Sequence, residues 1–141
     1  MGAKLDLVVV NRVDRSRPRT SHTERVMLSI GRGLRRGFVS GTKEPLNADS
    51  WAAFMSAFPV AFPDAQISVD ASVAERDIVA SRWTLTGTHR GEFQGVPPTG
   101  KAVTMVGIDF TRVVDGKIAQ HWAQFDVIGV MQQIGAIPAP A

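Results

Sequence analysis

The strongest constraint on the fold is the dipeptide Asp115-Gly116, which separates two strand-like segments in the last third of the chain. Residues 103–113 and 117–126 contain the β-branched and aromatic residues that favour strands. An Asp-Gly pair between two such segments is a strong signal for a β-hairpin. We therefore expect a long antiparallel hairpin from Thr104 to Asp126.

The length of the hairpin loop decides which residues face each other. In a three-residue loop with a bulge, Asp109 pairs with His121. In a two-residue loop, Asp109 meets Trp122, and the acid and the imidazole point to opposite faces. We favour the three-residue loop, because an Asp-Gly pair fits both loops and only this register yields a coherent polar site.

In the favoured register, one face of the hairpin combines an acid and an imidazole with apolar walls and small residues, as a ligand cavity would. That face holds Met105, Gly107, Asp109, Thr111, Ala119, His121, Ala123 and Phe125. The opposite face is apolar for a surface and holds Val106, Ile108, Phe110, Ile118, Gln120, Trp122 and Gln124. If helices cover the first face, the second is bare unless a partner covers it, which predicts a homodimer formed sheet to sheet.

Two helices are predicted before the strands. Ser21 and Glu24 form a capping box for a helix running to about Arg36. Asn47 or Asp49 can cap a second helix, in which Pro59 predicts a kink or an early end. In this second helix apolar residues recur at spacings of three and four: Trp51, Phe54, Met55, Phe58 and Phe62.

Strand patterns follow the helices. Residues 66–73 alternate, which predicts a half-buried strand with Ile67, Val69, Ala71 and Val73 on one side. A second strand is expected at 78–89, and Asp126 is expected to cap a terminal helical turn over 127–134. Helices followed by antiparallel strands indicate the α+β class, with one curved sheet wrapped over the helices.

Composition narrows the possible functions. A chain of 141 residues is expected to form one domain, with residues 1–20 as an irregular or mobile arm. There is no Cys, and the three His lack metal-ligand spacing, so neither a thiolate nor a metal site is expected.

The net charge of +3 is unevenly distributed, because residues 1–50 hold ten Lys/Arg against five Asp/Glu and residues 51–141 hold six against eight. We interpret the first 50 residues as a solvated basic arm rather than a nucleic-acid surface, because no aromatic residue is interleaved with their arginines before Phe38. No apolar run approaches the roughly 20 residues of a membrane span, and Asp6 falls where a signal peptide would be apolar. We therefore expect a soluble, cytoplasmic protein.

Asp109 and His121 are the candidate catalytic pair. Burial raises the pKa of a carboxyl group, and a nearby imidazole opposes the rise, so the two groups could hold one proton between them. Such a pair can abstract an acidic carbon-bound proton, or protonate a carbonyl oxygen, near neutral pH. Alternatively, the two side chains simply hydrogen-bond each other in a packed core, and the residues alone favour neither interpretation.

Several other residues are candidates for substrate contacts. Arg82 either enters the cavity as an anion anchor or points to solvent with its stem packed. His89 either rims the pocket or occupies an exposed strand end. Phe54 and Phe58 could line the cavity as well as the core, and Asp126 is assigned to the helix cap in preference to catalysis. Met105 and Ala123 complete the expected binding surface.

A series of short motifs follows along the second half of the chain. In order they are Arg82-Trp83-Thr84, Gly87-Thr88-His89, Gly91-Glu92-Phe93, Gly95-Val96-Pro97-Pro98-Thr99-Gly100, Gly107-Ile108-Asp109, Asp115-Gly116-Lys117-Ile118, His121-Trp122 and Gln132-Gln133-Ile134-Gly135. Together these motifs resemble the SnoaL-like polyketide cyclases of the nuclear transport factor 2-like superfamily. The resemblance extends from about Trp51 to Pro138. It implies a cone-shaped α+β barrel around a deep apolar pocket, and an intramolecular aldol cyclisation of a polyketide ester by an acidic residue without a cofactor.

The chain departs from the family pattern in two places. The acid that usually follows His-Trp would fall at position 123, where this chain has Ala123. Asp109, His121 and Asp126 remain as substitutes for it. The family's long first helix, with its alternating acidic and apolar residues, has no counterpart in residues 1–37.

Three functions are compatible with these residues. The leading hypothesis is a cofactor-free acid/base enzyme that acts on a small hydrophobic carbonyl compound. The second is a non-catalytic binder of an apolar small molecule, for which losing the acid at position 123 would be harmless. The third is an epoxide hydrolase-like activity, which rests on fold analogy alone.

Overall fold

The computed structural model describes residues 34–39 and 43–140, which form a five-stranded mixed sheet and two helices. In chain order the elements are β1 (Arg36–Val39), α1 (Ala48–Ala61), β2 (Gln66–Glu75), β3 (Ile78–Thr88), β4 (Ala102–Val114), β5 (Lys117–Phe125) and α2 (Val127–Gln133). The strand order is β1-β5-β4-β3-β2. Strand β1 runs parallel to β5, and the other neighbours are antiparallel. The expected α+β class is therefore confirmed, and the parallel strand β1 makes the sheet mixed.

The edge strand β1 was not expected from the sequence. The predicted helix from Ser21 to about Arg36 lies outside the described residues up to residue 33, as does the predicted arm at 1–20. Its expected end is wrong, because Arg36–Val39 form a strand that pairs with Gln120–Ala123 of β5. Four residues are too few to show an alternation, and the exposed edge of β5 provides the hydrogen bonds that hold them.

Helix α1 begins at the cap that the sequence predicts. The Asn47 side chain accepts a hydrogen bond from the Ser50 backbone N–H at 2.9 Å, and the Ser50 hydroxyl accepts one from the Asn47 N–H at 2.9 Å. Of the kink or early end expected at Pro59, the early end is wrong, since the helix continues to Ala61. Proline is tolerated because it lies in the last turn, which the Phe62 N–H closes onto the Phe58 carbonyl at 2.8 Å.

The sheet has an inner face, against which α1 packs, and an outer face. In β2 a bulge between Val69 and Ala71 changes the side on which the following residues lie. Val73 therefore lies opposite Ala80 and is 70% exposed. The expected half-buried strand is wrong beyond the bulge, because the alternation seen in the sequence assumes a regular strand.

Two clusters of buried side chains hold the sheet and helices together. The first joins α1, β3, β4 and α2 and contains Phe58, Ala61, Phe62, Leu85, Phe93, Val103, Met105, Val130 and Ile134. The second joins β1, β5 and the start of α1 and contains Leu34, Val39, Trp51, Ile118 and Ala123. Phe54, Met55 and Phe125 pack against both clusters. The inner face near these three residues is thus the junction between the two cores.

Helix α2 begins where the sequence predicts. Asp126 is its N-cap, and its carboxylate accepts a hydrogen bond from the Gly129 N–H at 2.7 Å. The helix is fastened to β4 by Gln133, which accepts from the Thr104 N–H at 2.7 Å and donates to the Thr104 carbonyl at 2.9 Å. Within the described ranges, no helix is long and apolar enough to cross a membrane.

Candidate active site

The hairpin register differs from the two predicted registers, in which Asp109 pairs with His121 or with Trp122. The turn is the two-residue type, with Val114 opposite Lys117 and positive φ at Asp115 (50°) and Gly116 (71°). The register then shifts by one between Arg112 and Val113. As a result Asp109 lies opposite Ala123, and the expected direct pairing of Asp109 with His121 is wrong.

Asp109 and His121 nevertheless share the inner face. The register shift leaves Ala119 of β5 unpaired with β4, so the strand gains one residue before His121. His121 therefore lies opposite Thr111, two positions along β4 from Asp109. The bulge also places Ile118 in the core rather than on the outer face, where we expected it.

His121 is held in place by one hydrogen bond and one aromatic contact. Its Nδ1 lies 2.9 Å from the Thr111 hydroxyl, and both side chains are buried. The Trp51 ring meets the imidazole edge to face, with 4.9 Å between the ring centroids. Burial lowers the pKa of His121 to about 4, because an imidazolium would be poorly solvated there. The residue is neutral at physiological pH.

Asp109 is half-buried on the inner face at the junction of the two cores. Burial raises its pKa to about 6, and a hydrogen bond from the Trp83 side chain opposes this rise. Asp109 therefore exchanges its proton near neutral pH, as a general base requires.

Both pKa shifts favour the neutral forms, because burial raises the pKa of Asp109 and lowers that of His121. Above pH 6 Asp109 is charged while His121 is neutral, and between pH 4 and pH 6 both are neutral. His121 thus cannot act as the positive partner that we expected, and a proton shared at this site would reside on Asp109. The site consists of a carboxylate that titrates near neutral pH and an imidazole that stays neutral.

Aromatic side chains form a wall beside Asp109. Phe125 lies 6.1 Å from Phe54, 5.7 Å from Phe58 and 6.0 Å from Trp83, measured between ring centroids. Phe58 is buried, whereas Phe54, Trp83 and Phe125 are half-buried and remain partly accessible. Phe54 and Phe58 therefore occupy the expected place, while Trp83 was missed. A ligand contacting Asp109 would meet apolar ring surfaces.

Of the three other expected contacts, Arg82 and Met105 lie away from Asp109, and Ala123 lies opposite it. Arg82 lies on the outer face opposite Ile108, where its 52% exposed side chain pairs with Asp70 at 2.6 Å, so the anion-anchor prediction is wrong. Met105 is buried opposite Leu85 as a member of the first core cluster. Ala123 is buried as a member of the second core cluster and lies opposite Asp109.

His89 is a buried side chain of the packed interior. It is completely buried, its ring packs 5.8 Å from Phe62, and its Nδ1 lies 3.0 Å from the Thr99 hydroxyl. The expected exposed or pocket-rim position is wrong, because the segment from Arg90 to Lys101 folds back over the ring. The His89 N–H donates to the Lys101 carbonyl, and the Gly100 N–H donates to the His89 carbonyl.

Acidic and imidazole groups are not clustered elsewhere. In the described part of the chain, no group of three or more His, Cys, Asp or Glu could hold a metal ion. Asp126 is engaged at the start of α2, and Asp64 accepts hydrogen bonds from the Thr88 N–H and hydroxyl at 2.8 and 2.7 Å. These bonds lower the pKa of Asp64, the hydroxyl bond most. Asp109 therefore differs from Asp64 in having its pKa raised rather than lowered.

A curved mixed sheet with helices packed against one face is the architecture of nuclear transport factor 2-like proteins. The family model of the SnoaL-like polyketide cyclases matches residues 38–134. Because this match covers more than half of the chain, the chain belongs to that family.

Individual relatives agree with this assignment. Aklanonic acid methyl ester cyclase DnrD from Streptomyces peucetius is 37% identical over 57 residues, which are 40% of this chain and 39% of that protein. The chain thus spans less than half the length of the curated relatives it matches.

Solved structures match over a larger share of the chain. AclR from Streptomyces galilaeus, for which hydroxylase activity has been suggested, superposes with a TM-score of 0.73 at 28% identity, covering 96% of this chain and 79% of that one. IdmH from Streptomyces antibioticus, a suggested polyketide cyclase, gives a TM-score of 0.65 at 29% identity and covers 91% of both chains. The fold is therefore shared with relatives whose suggested reactions differ.

Proposed function

We propose that the protein is an acid/base enzyme that cyclises a small hydrophobic carbonyl compound, with Asp109 as the proton-transferring group. The position of Asp109 opposite Ala123 carries this proposal. The resemblance to the family implies an acid at position 123, and directly opposed residues in an antiparallel pair have Cβ atoms only about 5 Å apart. A carboxylate on β4 can therefore reach the space that an acid on β5 would occupy.

The chemistry requires one group that both removes and returns a proton. The Asp109 carboxylate takes a proton from the carbon next to a carbonyl, and the resulting enolate attacks a second carbonyl carbon of the same molecule. The new C–C bond leaves an alkoxide, which takes the proton back from Asp109. Substrate and product have the same formula, and a carboxyl group with a pKa of about 6 suits both transfers.

His121 has a supporting role in this proposal. A neutral imidazole can donate or accept a hydrogen bond but is a poor proton donor, so it contributes polarity rather than charge. The Thr111 hydroxyl fixes one ring nitrogen and thereby the orientation of the ring. Phe54 and Phe125 supply apolar surface for the hydrocarbon part of the substrate.

The variant Asp109→Asn tests the catalytic role. Aklanonic acid methyl ester is the first probe, because curated relatives cyclise it. We expect the variant to lose at least about 100-fold in kcat with little change in ligand affinity, since the amide cannot accept the proton. Asp115→Asn, the same change in an exposed turn, should retain full turnover. Unchanged turnover by Asp109→Asn would overturn the proposal.

A non-catalytic binder is the second candidate, favoured by the absence of an acid at position 123. In that case the probe should raise the melting temperature of the wild type and of Asp109→Asn equally, without product formation. Turnover by the wild type excludes this reading, and saturable binding without turnover supports it.

We also propose that the protein forms a homodimer through the outer face. Strand β4 exposes Ile108 (53%) and Phe110 (49%) there, and Phe38 stacks on Trp122 beside them at 5.7 Å between centroids. Val73 and Val106 extend the same apolar surface. Contiguous apolar surface of this kind is characteristic of protein interfaces, and a sheet face that meets its own copy buries it symmetrically.

A further inference from the structure

We infer that Trp83 is a positioning residue for Asp109, and that Gly107 lacks a side chain so that the Trp83 indole can lie across β4 and reach the carboxylate. The inference rests on the proposed function, because it assigns a device that prepares the same acid. The three residues concerned are Trp83 of β3 and Gly107 and Asp109 of β4.

The register of β3 against β4 brings the indole to this place. Trp83 lies directly opposite Gly107, and Asp109 is the next residue of β4 on the same face. A tryptophan at this position is therefore a diagonal neighbour of the acid, within reach of a long aromatic side chain.

Gly107 provides the space for the ring. A Cβ placed there would lie 2.2 Å from the indole Cζ2, 2.5 Å from Cε2 and 2.7 Å from Cη2. Such distances do not occur between real atoms, so any larger residue would displace the ring. Cε2 is bonded to Nε1, so the N–H edge of the indole is the part that crosses the strand.

A second aromatic ring holds the indole from the other side. Phe125 of β5 lies opposite Gly107, and its ring centroid is 6.0 Å from that of Trp83. Trp83 and Phe125 thus meet over Gly107 from the two flanking strands. From this place the Trp83 side chain, as a hydrogen-bond donor, opposes the rise that burial causes in the pKa of Asp109.

The functional consequence concerns how much base is present at neutral pH. Burial raises the pKa of Asp109, which makes the carboxylate a stronger base and also reduces the fraction that is ionised at neutral pH. The indole N–H favours the ionised form and so offsets part of this rise in pKa. Donation from the indole to one carboxylate oxygen would favour one orientation of the carboxyl group. We therefore expect Trp83 to affect the ionisation and orientation of the acid without taking part in proton transfer.

The three tryptophans of the chain permit a direct test by NMR of the wild-type protein. The indole N–H signal of Trp83 should move with pH, with a midpoint near 6, as its acceptor Asp109 gains a proton. The Trp122 indole, on the outer face, is an internal control that should show no such midpoint. In Asp109→Asn the midpoint near 6 should disappear from the Trp83 signal. Persistence of that midpoint in the variant, or its absence in the wild type, would overturn the inference.

Two substitutions test the same contact from opposite strands. Trp83→Phe removes the donor, and Gly107→Ala displaces the ring, so both should raise the pKa of Asp109 by roughly one unit. The acidic limb of kcat/KM should move to higher pH by the same amount. Trp122→Phe is the matched control and should leave the Asp109 midpoint unchanged. If either variant folds and keeps the wild-type midpoint, the inference fails.

Failure of this inference is distinguishable from failure of the proposed function. If Asp109→Asn abolishes turnover while the Trp83 signal ignores pH, Asp109 is catalytic and Trp83 does not position it. If the Trp83 signal follows Asp109 while the same variant keeps its turnover, the contact exists and the proposed function is wrong.

Discussion

At the scale of single residues, the site contains two groups whose pKa shifts make stability depend on pH in opposite directions. The pKa of Asp109 is raised from 3.8 to about 6 in the folded protein. The stability that the protonated carboxyl contributes is therefore lost as pH rises through 6. The pKa of folded His121 is lowered from 6.5 to about 4, so its contribution is lost as pH falls from 6.5 towards 4. Between pH 4 and pH 6 the two effects oppose each other, and removing one group should reveal the other.

We predict that Asp109→Asn stabilises the protein at pH 7.5, because the amide needs no charged state in a desolvated site. The raised pKa sets an upper limit of about 3 kcal/mol on the gain in unfolding free energy, and partial solvation of Asp109 reduces it. At pH 4.5 the gain should fall to roughly a third of its value at pH 7.5, because the unfolded-state carboxyl, with its ordinary pKa of 3.8, is still mostly ionised there. Urea unfolding at the two pH values measures the difference, with Asp115→Asn as the control. A loss of stability at pH 7.5 would contradict the assigned desolvation.

At the scale of elements, alternation predicts which face a side chain occupies more reliably than it predicts its partner. Asp109 and His121 share a face as expected, but only because the bulge at Ala119 compensates for the shorter turn. A bulge at a residue as small as Ala119 leaves no clear pattern in the sequence. The fold gains burial of the neighbouring Ile118 from it.

The remaining misses have the same physical origin. Strand β1 depends on the edge of β5, and the position of Trp83 over Gly107 depends on the pairing of β3 with β4. His89 is buried because the loop up to Lys101 closes over it. These are contacts between segments distant in sequence, whereas the Asn47 and Asp126 caps are local and were predicted correctly.

At the scale of the whole molecule, the two faces of the sheet have different roles. The inner face packs against α1 and contains the acid, while the outer face carries exposed apolar residues of β2 and β4. In the proposed dimer the outer faces meet, so the openings beside Asp109 face away from the interface. Two independent sites per dimer follow from this arrangement.

We predict that Ile108→Lys converts the dimer to a monomer, because it buries a charge at the centre of the proposed interface. Sedimentation velocity at micromolar concentration gives the mass of the species. Val60→Lys places the same charge on a 65% exposed residue of α1 and should leave the dimer intact. A wild-type monomer, or an intact dimer in Ile108→Lys, would contradict the assigned interface.

The central claim is that the inner face desolvates one carboxyl group so that it exchanges its proton near neutral pH. Carbon-13 NMR of the aspartate carboxyl groups measures this in the unmodified protein, and Asp109→Asn identifies the signal. We predict a midpoint near 6 for Asp109. A midpoint near 3.8, the ordinary value for an aspartate, would show that the inner face does not prepare this residue for acid/base chemistry.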